Sequence, residues 1–261
     1  MGKMALLEAK ELTKSFGGLW AVNKLNFKID EGDIVGLIGP NGAGKTTVFN
    51  LVTGFIRPNR GRVFFRGLEI TGLRPSKIVA KGIARTFQLS TFFSEMTVLE
   101  NLLVALHLQA NQLAPIPYQF IKTQYIRQKE KEIYRSASDL MDFVGLIFYE
   151  NEKAKNLPHG LQRLLSIAIV LASNPHILLL DEVTSGMNAE EVNSTLGLLR
   201  EIHRRGKTLL LIEHNMRVAM SLCDRVIVLN YGKKIAEGTP EEISNNEQVI
   251  SAYLGTGKEF A

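Results

Sequence analysis

The stretch DIVGLIGPNGAGKTTVFN, residues 33–50, decides the fold. Its first part, DIVGLI (33–38), is a short apolar run consistent with a buried strand. The loop that follows, GPNGAGKTT (39–47), has the spacing G-x-x-x-x-G-K-[ST], and KTTVFNLVTG then opens a helix. Gly39, Gly42 and Gly44 let the backbone curl until successive N–H groups face one anion. The start of the helix adds its partial positive charge. A chain segment built this way suits phosphate groups. Lys45 is expected on the β- and γ-phosphates, the Thr46 hydroxyl on Mg2+ and Thr47 near the α-phosphate. Gly39, Pro40, Asn41, Gly42, Ala43 and Gly44, with Lys45, Thr46 and Thr47, form the expected nucleotide-binding set.

A second motif lies far along the chain. ILLLDE (177–182) ends an apolar strand in Asp181, at the carboxyl edge where α/β sheets bind ligands. An acid there can hold Mg2+ directly or through water. Glu182 follows at once and can polarise a water for attack on the γ-phosphate. HILLLDE (176–182), TLLLIEH (208–214) and RVIVLN (225–230) alternate with helical patterns at 188–205 and 215–223. This order implies a parallel sheet covered on both faces. In the first third, LLEAKEL, LNFKID and GRVFF alternate apolar and polar residues, as antiparallel strands do. Residues 97–172 lack a strand pattern and read as a helical subdomain inserted in the α/β core.

Composition sets outer bounds. At 45% hydrophobic and 22% charged, the chain can build an ordinary globular core. No apolar run approaches the roughly 20 residues of a membrane span, and MGKMALLEAK (1–10) fits neither a signal peptide nor a myristoylation site. Cys223 is the only cysteine, which excludes an intrachain disulfide and favours the cytoplasm. The five histidines show no metal-ligand spacing. A net charge of +5 permits an anionic partner but is an ordinary solvation excess. Tyr118, Phe120, Lys122, Tyr125, Arg127, Lys129 and Lys131 read as an amphipathic helix with a solvated basic face, and nucleic acid is not expected as a partner.

The phosphate loop is followed in order by RTFQ (85–88), LPHGLQR (157–163), LLLDE (178–182), SGMN (185–188) and IEH (212–214). Together they resemble the nucleotide-binding subunit of an ABC transporter along nearly the whole chain. TGFIRPNRGRVFF, GIARTFQ, MTVLENLLVA and EGTPEEI further resemble the ATPase subunits of branched-chain amino-acid importers. The resemblance implies a P-loop NTPase (RecA-like) α/β core with an antiparallel β subdomain and an inserted helical subdomain at about 97–172, all in one ATP-binding domain over 1–261.

The resemblance also assigns roles that the residues alone would not. Gln88 matches the loop glutamine that senses the γ-phosphate and Mg2+, and its amide can both donate and accept. His214 matches the histidine that contacts the γ-phosphate and orients the attacking water. Phe16, before Gly17 and Gly18, matches the aromatic that stacks on adenine, with Trp20 and Val22 along the same edge. SGMN matches the segment that touches the opposite subunit. The helix from Gly160 matches the one whose Leu-Ser-Gly-Gly-Gln start faces ATP on a second subunit. Here Pro158, His159 and Leu161 depart from that pattern, and only Leu157 and Gly160 agree. Pro158 at the first helical position would preserve the dipole but not the hydroxyl. Val183 and Ile169 stand where Pro and Arg are usual.

The implied function is Mg2+-dependent ATP hydrolysis powering an importer of branched-chain or other amino acids. Implied partners are integral-membrane permease subunits, a second ATP-binding subunit (the same chain or another) and, indirectly, a substrate-binding protein, placing the chain peripherally on the cytoplasmic face of the cell membrane. A soluble ABC ATPase outside transport usually carries two cassettes or a long coiled-coil insertion. A scaffold with weak hydrolysis is motivated by the altered signature but opposed by Glu182, His214 and Lys45. Near the end of the chain, Thr239 and Glu242 are expected to form a capping box with Pro240 in the first helical position.

Overall fold

The computed structural model describes residues 5–86, 92–113 and 124–254, without the side chains of 108–113, 124–126 and 254. It divides into two compact units.

The first unit comprises the described residues of Met1–Arg85, His176–Glu182 and Leu199–Ala261. Its main sheet contains β3 (Ile34–Ile38), β6 (Ile83–Arg85), β7 (Ile177–Asp181), β8 (Thr208–Ile212), β9 (Arg225–Asn230) and β10 (Lys233–Gly238), in the spatial order β10-β9-β3-β8-β7-β6. All neighbours are parallel except β10, which runs antiparallel to β9. Every residue of β3, β7 and β8 is buried. That is why these strands read as unbroken apolar runs: a central parallel strand has no solvent face. After β3 and the glycine-rich loop runs α1 (Lys45–Val52), which buries Val48, Phe49, Leu51 and Val52.

The second sheet is antiparallel, in the order β2-β1-β4-β5, with β1 (Leu7–Phe16), β2 (Leu19–Ile29), β4 (Arg60–Phe65) and β5 (Leu68–Glu69). Leu25, Phe27 and Ile29 of β2 alternate inward and enter the same core as Val35, Leu37 and Leu179 of the main sheet. β1 and β2 extend beyond their alternating segments. Their ends pair as Ser15↔Trp20 and Phe16↔Leu19 around Gly17 and Gly18, at φ 53° and 87°. Two positive φ values make the tight hairpin turn whose twist matches the strands. The unit also holds α2 (Pro75–Ala80), α7 (Met216–Leu222), α8 (Pro240–Ser244) and α9 (Glu247–Leu254). α8 opens with the expected box, Thr239 and Glu242 bonding each other's backbone and Pro240 in the first turn.

The second unit comprises the described residues of Thr86–Pro175 and Val183–Leu198. It contains α3 (Val98–Leu113), α4 (Gln124–Val144), α5 (His159–Ala172) and the first part of α6 (Ala189–Arg204). Thr97 and Glu100 cap α3 reciprocally, at 2.8 and 3.1 Å. In α4, Ala137, Met141 and Val144 recur at helical spacing and meet Val98, Leu102, Leu165 and Ala168 in one core. The expected helical segment 97–172 lies within this unit, which also takes in 183–198. Arg127 and Lys131 on α4 are solvent-exposed. No described helix is long and apolar enough to cross a membrane.

Candidate functional site

Three adjacent strands of the first unit end side by side. In the sheet register Ile212 of β8 aligns with both Leu37 of β3 and Asp181 of β7. The glycine-rich loop, the pair Asp181–Glu182 and the segment Glu213–His214 therefore leave the same carboxyl edge, where open α/β sheets bind ligands.

The loop from Gly39 to Gly44 wraps around the start of α1. Lys45 is only 7% exposed, and its Nζ donates to the carbonyls of Gly39 at 2.6 Å and Pro40 at 3.0 Å. Burial lowers the Lys45 pKa, and the charges of Glu182 and Asp181 pull it back up. The two carboxylates thus act electrostatically on the loop lysine. Gly44 caps α1 at φ 102° without a side-chain hydrogen bond, leaving the helix start to an outside acceptor. A Cβ there would collide with the Ala21 carbonyl. The loop is also held from outside: Gly232 N–H donates to Ala43 O at 3.0 Å, and Gly232 O accepts from Asn23 N–H at 2.8 Å. Thr46 is exposed and Thr47 half-buried.

Asp181 is fully buried at the end of β7. Arg85 of β6, which the sequence analysis did not single out, donates from Nη2 to Asp181 Oδ2 at 2.8 Å. Burial raises the Asp181 pKa; the bond and charge of Arg85 oppose that without cancelling it. Glu182 has a positive φ of 49°, unusual for a residue with a side chain. Its N–H donates to Ile212 O at 2.9 Å, and its Oε1 lies 3.7 Å from Nδ1 of His214. His214 is half exposed.

The donor set suits Mg2+ better than a cation enclosed by protein. Among the described residues no group of three or more His, Cys, Asp and Glu converges to hold a metal. Mg2+ is commonly held by one or two protein oxygens with phosphate and water completing the shell. The buried Asp181 carboxylate and the exposed Thr46 hydroxyl offer that kind of partial set.

Phe16 ends β1 with half its surface exposed, and Lys14 Nζ stands 5.1 Å above its ring. Trp20 is also 54% exposed. Val22 is not on this edge: it is completely buried in the core. On β2 it lies between half-buried Ala21 and Asn23.

In the second unit, α5 begins at His159, not at Pro158. Pro158 is the N-cap, at φ −51° and ψ 151°, and makes no side-chain capping bond. This corrects its expected first-turn position: the helix is closed by Gln162 N–H donating to Pro158 O at 3.0 Å. His159 is exposed and Gly160 buried. A Cβ on Gly160 would stand 2.7 Å from Glu191 Oε1. Glu191 Oε2 in turn accepts from Asn188 N–H at 2.9 Å, while Asn188 Oδ1 accepts from Glu191 N–H at 3.0 Å. The end of SGMN is thereby fixed to α6. Ile169 packs against the helical core, and Val183 is buried. Gln88 lies outside the described residues.

Residues 22–185 match the family model described as "ABC transporter", and residues 233–259 match that of a "Branched-chain amino acid ATP-binding cassette transporter". The chain is 45% identical over 253 residues to the high-affinity branched-chain amino acid transport ATP-binding protein BraF of Pseudomonas aeruginosa, covering 96% of this chain and 98% of that one. It is 43% identical over 251 residues to the corresponding LivG of Escherichia coli, with 96% and 98% covered. Among solved structures it is similar to the ADP conformation of MJ1267, an ATP-binding cassette of an ABC transporter. The TM-score is 0.83 at 30% identity, covering 97% of this chain and 99% of that one.

Proposed function

We propose, from the premise that this chain belongs to the ABC transporter ATP-binding family, that it is the ATP-hydrolysing subunit of an importer for branched-chain amino acids. The observation that carries the site assignment is the shared carboxyl edge of β3, β7 and β8, from which the loop with buried Lys45, the pair Asp181–Glu182 and His214 all leave. Similarity to BraF and LivG along nearly the whole chain supports the amino-acid substrate.

In this reading residues 1–261 act as one ATP-binding domain. Lys45 and the N–H groups of Gly42, Ala43 and Gly44 hold the β- and γ-phosphates, and Thr47 lies by the α-phosphate. Phe16 stacks on the base, with its ring already exposed for contact. Thr46 and Asp181 hold Mg2+, which supplies charge neutralisation of the phosphates when bound. Glu182 accepts the proton of the attacking water, and His214 orients that water toward the γ-phosphate. Gln88 senses the γ-phosphate and Mg2+. The partners are two permease subunits in the membrane, a second ATP-binding subunit and, through the permease, a substrate-binding protein. Membership in this family and the lack of a spanning helix among the described residues support a peripheral position on the cytoplasmic face.

Reconstitution tests the whole reading. The chain is assembled in proteoliposomes with permeases, its ATPase partner and a binding protein encoded beside it. Labelled leucine uptake is expected to require internal ATP and Mg2+ and to stop when this subunit is omitted. ATP hydrolysis stimulated by a different solute, with no leucine uptake, would keep the ATPase and discard the substrate.

A further inference from the structure

We infer that Arg85 is a positioning residue that sets the divalent-cation requirement of the site, serving as the countercharge of Asp181 until the cation arrives with nucleotide. The inference rests on Asp181 being the Mg2+ carboxylate of the proposed function. Arg85 and Asp181 lie on neighbouring parallel strands, Arg85 of β6 in register with Leu179 of β7. Their side chains are 5% and 0% exposed and meet at 2.8 Å. A buried carboxylate without compensation is strongly unfavourable, and Arg85, which keeps its charge at any working pH, supplies the compensation.

The guanidinium has other holds. Nη1 donates to Asn50 Oδ1 on α1 at 2.5 Å, and the group lies 5.3 Å over the Phe49 ring. Arg85 therefore bridges the helix that follows the phosphate loop and the strand that delivers Asp181. A second cation at Asp181 meets the repulsion of the first. The Arg85 bond there weakens, while Asn50 and Phe49, which already hold the guanidinium in the paired state, keep its charge beside the site. Cation binding and the Arg85–Asp181 bond are consequently opposed.

The test measures equilibrium binding of labelled ADP across a Mg2+ titration, together with thermal melting in chelator. Arg85→Met removes the competing charge at similar volume. It is expected to melt lower without Mg2+, while the Mg2+ concentration at half-maximal nucleotide binding falls about five- to tenfold. Arg85→Lys keeps the charge but cannot fork to two acceptors, so melting falls while the Mg2+ midpoint stays within about twofold. Asn50→Ala leaves the ion pair and its charge in place, so its Mg2+ midpoint should also stay within about twofold. Should Arg85→Met fail to fold, Arg85→Gln, which removes the charge and keeps an amide donor, takes its place with the same expected fall. An unchanged midpoint in the charge-removing variant would reduce Arg85 to a purely structural role. If the unaltered protein binds ADP with no Mg2+ dependence at all, the assignment of Asp181 falls first, and this inference with it.

Discussion

His214 and Glu182 meet at the ends of two adjacent strands, Nδ1 of one 3.7 Å from Oε1 of the other. The separation is too long for a hydrogen bond, so neither group is committed to the other. The backbone bond from Glu182 N–H to Ile212 O holds Glu182 in its left-handed conformation and fixes where the carboxylate starts. Glu182→Gln keeps the shape and the backbone demand and removes the base. ATP binding should survive, while turnover in the assembled transporter should fall roughly 10²- to 10⁴-fold. Labelled-ATP binding and phosphate release, measured side by side, check it; unimpaired release would move the base to another group.

Lys45 is buried against two carbonyls of its own loop. Lys45→Ala removes the charge that meets the phosphates and leaves those carbonyls without this donor. Hydrogen bonds to charged groups are worth about 1.5–3 kcal/mol, so ATP affinity should drop by at least about tenfold. A filter-binding titration with labelled ATP gives the answer, and an unaltered affinity would contradict the phosphate assignment.

Gly160→Ala tests a contact inside the helical unit. The new methyl would crowd Glu191, whose carboxylate caps α6 through Asn188. If Glu191 swings away, the cap is weakened at a cost of about 1 kcal/mol. Urea unfolding should reveal that loss, and Glu191→Ala together with Gly160→Ala should lose little more than Glu191→Ala alone. Fully additive losses would show that the glycine matters for another reason.

The central strands were legible because burial on both faces leaves an unbroken apolar run in β3, β7 and β8. β10 and β6 were not. KKIAEG is a half-exposed edge strand with charged residues, and IAR has only three residues in which to show a pattern. The loop, Asp181 and Glu182 could be found from local motifs, and His214 only through the family resemblance. The Arg85–Asp181 bond could not, since it depends on β6 lying beside β7, and strand order is not written in either segment. The same applies to Gly160 and Glu191, and to the inclusion of 183–198 in the helical unit. Val22 was misjudged because two-residue spacing puts it on one face with Trp20 only in a regular strand, and the pairing with β1 shifts register between them.

Cys223 should make the protein sensitive to alkali. Burial, helped by Asp224 and Glu213, pushes its thiol from 9.0 up to about 12. Between those values the unfolded chain releases the proton and the native chain keeps it. Stability therefore falls as pH rises above 9, and this group contributes no slope below that. Tyr253, also raised by burial, acts in the same direction at higher pH, while the lowered lysines Lys45 and Lys207 act oppositely. A difference measurement isolates the thiol. The stability gap between the unaltered protein and Cys223→Ala should narrow by about 1 kcal/mol between about pH 9 and pH 10. Urea curves at the two pH values that keep a constant gap would show that the thiol titrates alike in both states.

The altered signature leads to a prediction about the whole assembly. In a heterodimer the Lys45 site would be completed by the partner's signature, and this chain's LPHGL would complete the partner's site. Pro158 caps α5 without a side-chain bond, and His159 stands exposed in the first turn. The missing hydroxyl removes a hydrogen bond to a charged phosphate, about 1.5–3 kcal/mol where nothing replaces it. The helix start and the Gly160 N–H recover part of that. Pro158→Ser with Leu161→Gln restores the serine and the glutamine of the motif, and Pro158→Ser alone serves as control because Leu161 also packs against the helical core. A serine cap stabilises the helix by about 1 kcal/mol in its own right, so melting cannot decide the matter and turnover must. If the two sites are unequal, the restored transporter hydrolyses ATP faster, and the gain disappears when the partner's phosphate-binding lysine is removed. Equal rates before and after would mean that Pro158 and Leu161 serve the site as well as the usual residues do, and the unequal-site idea would be dropped.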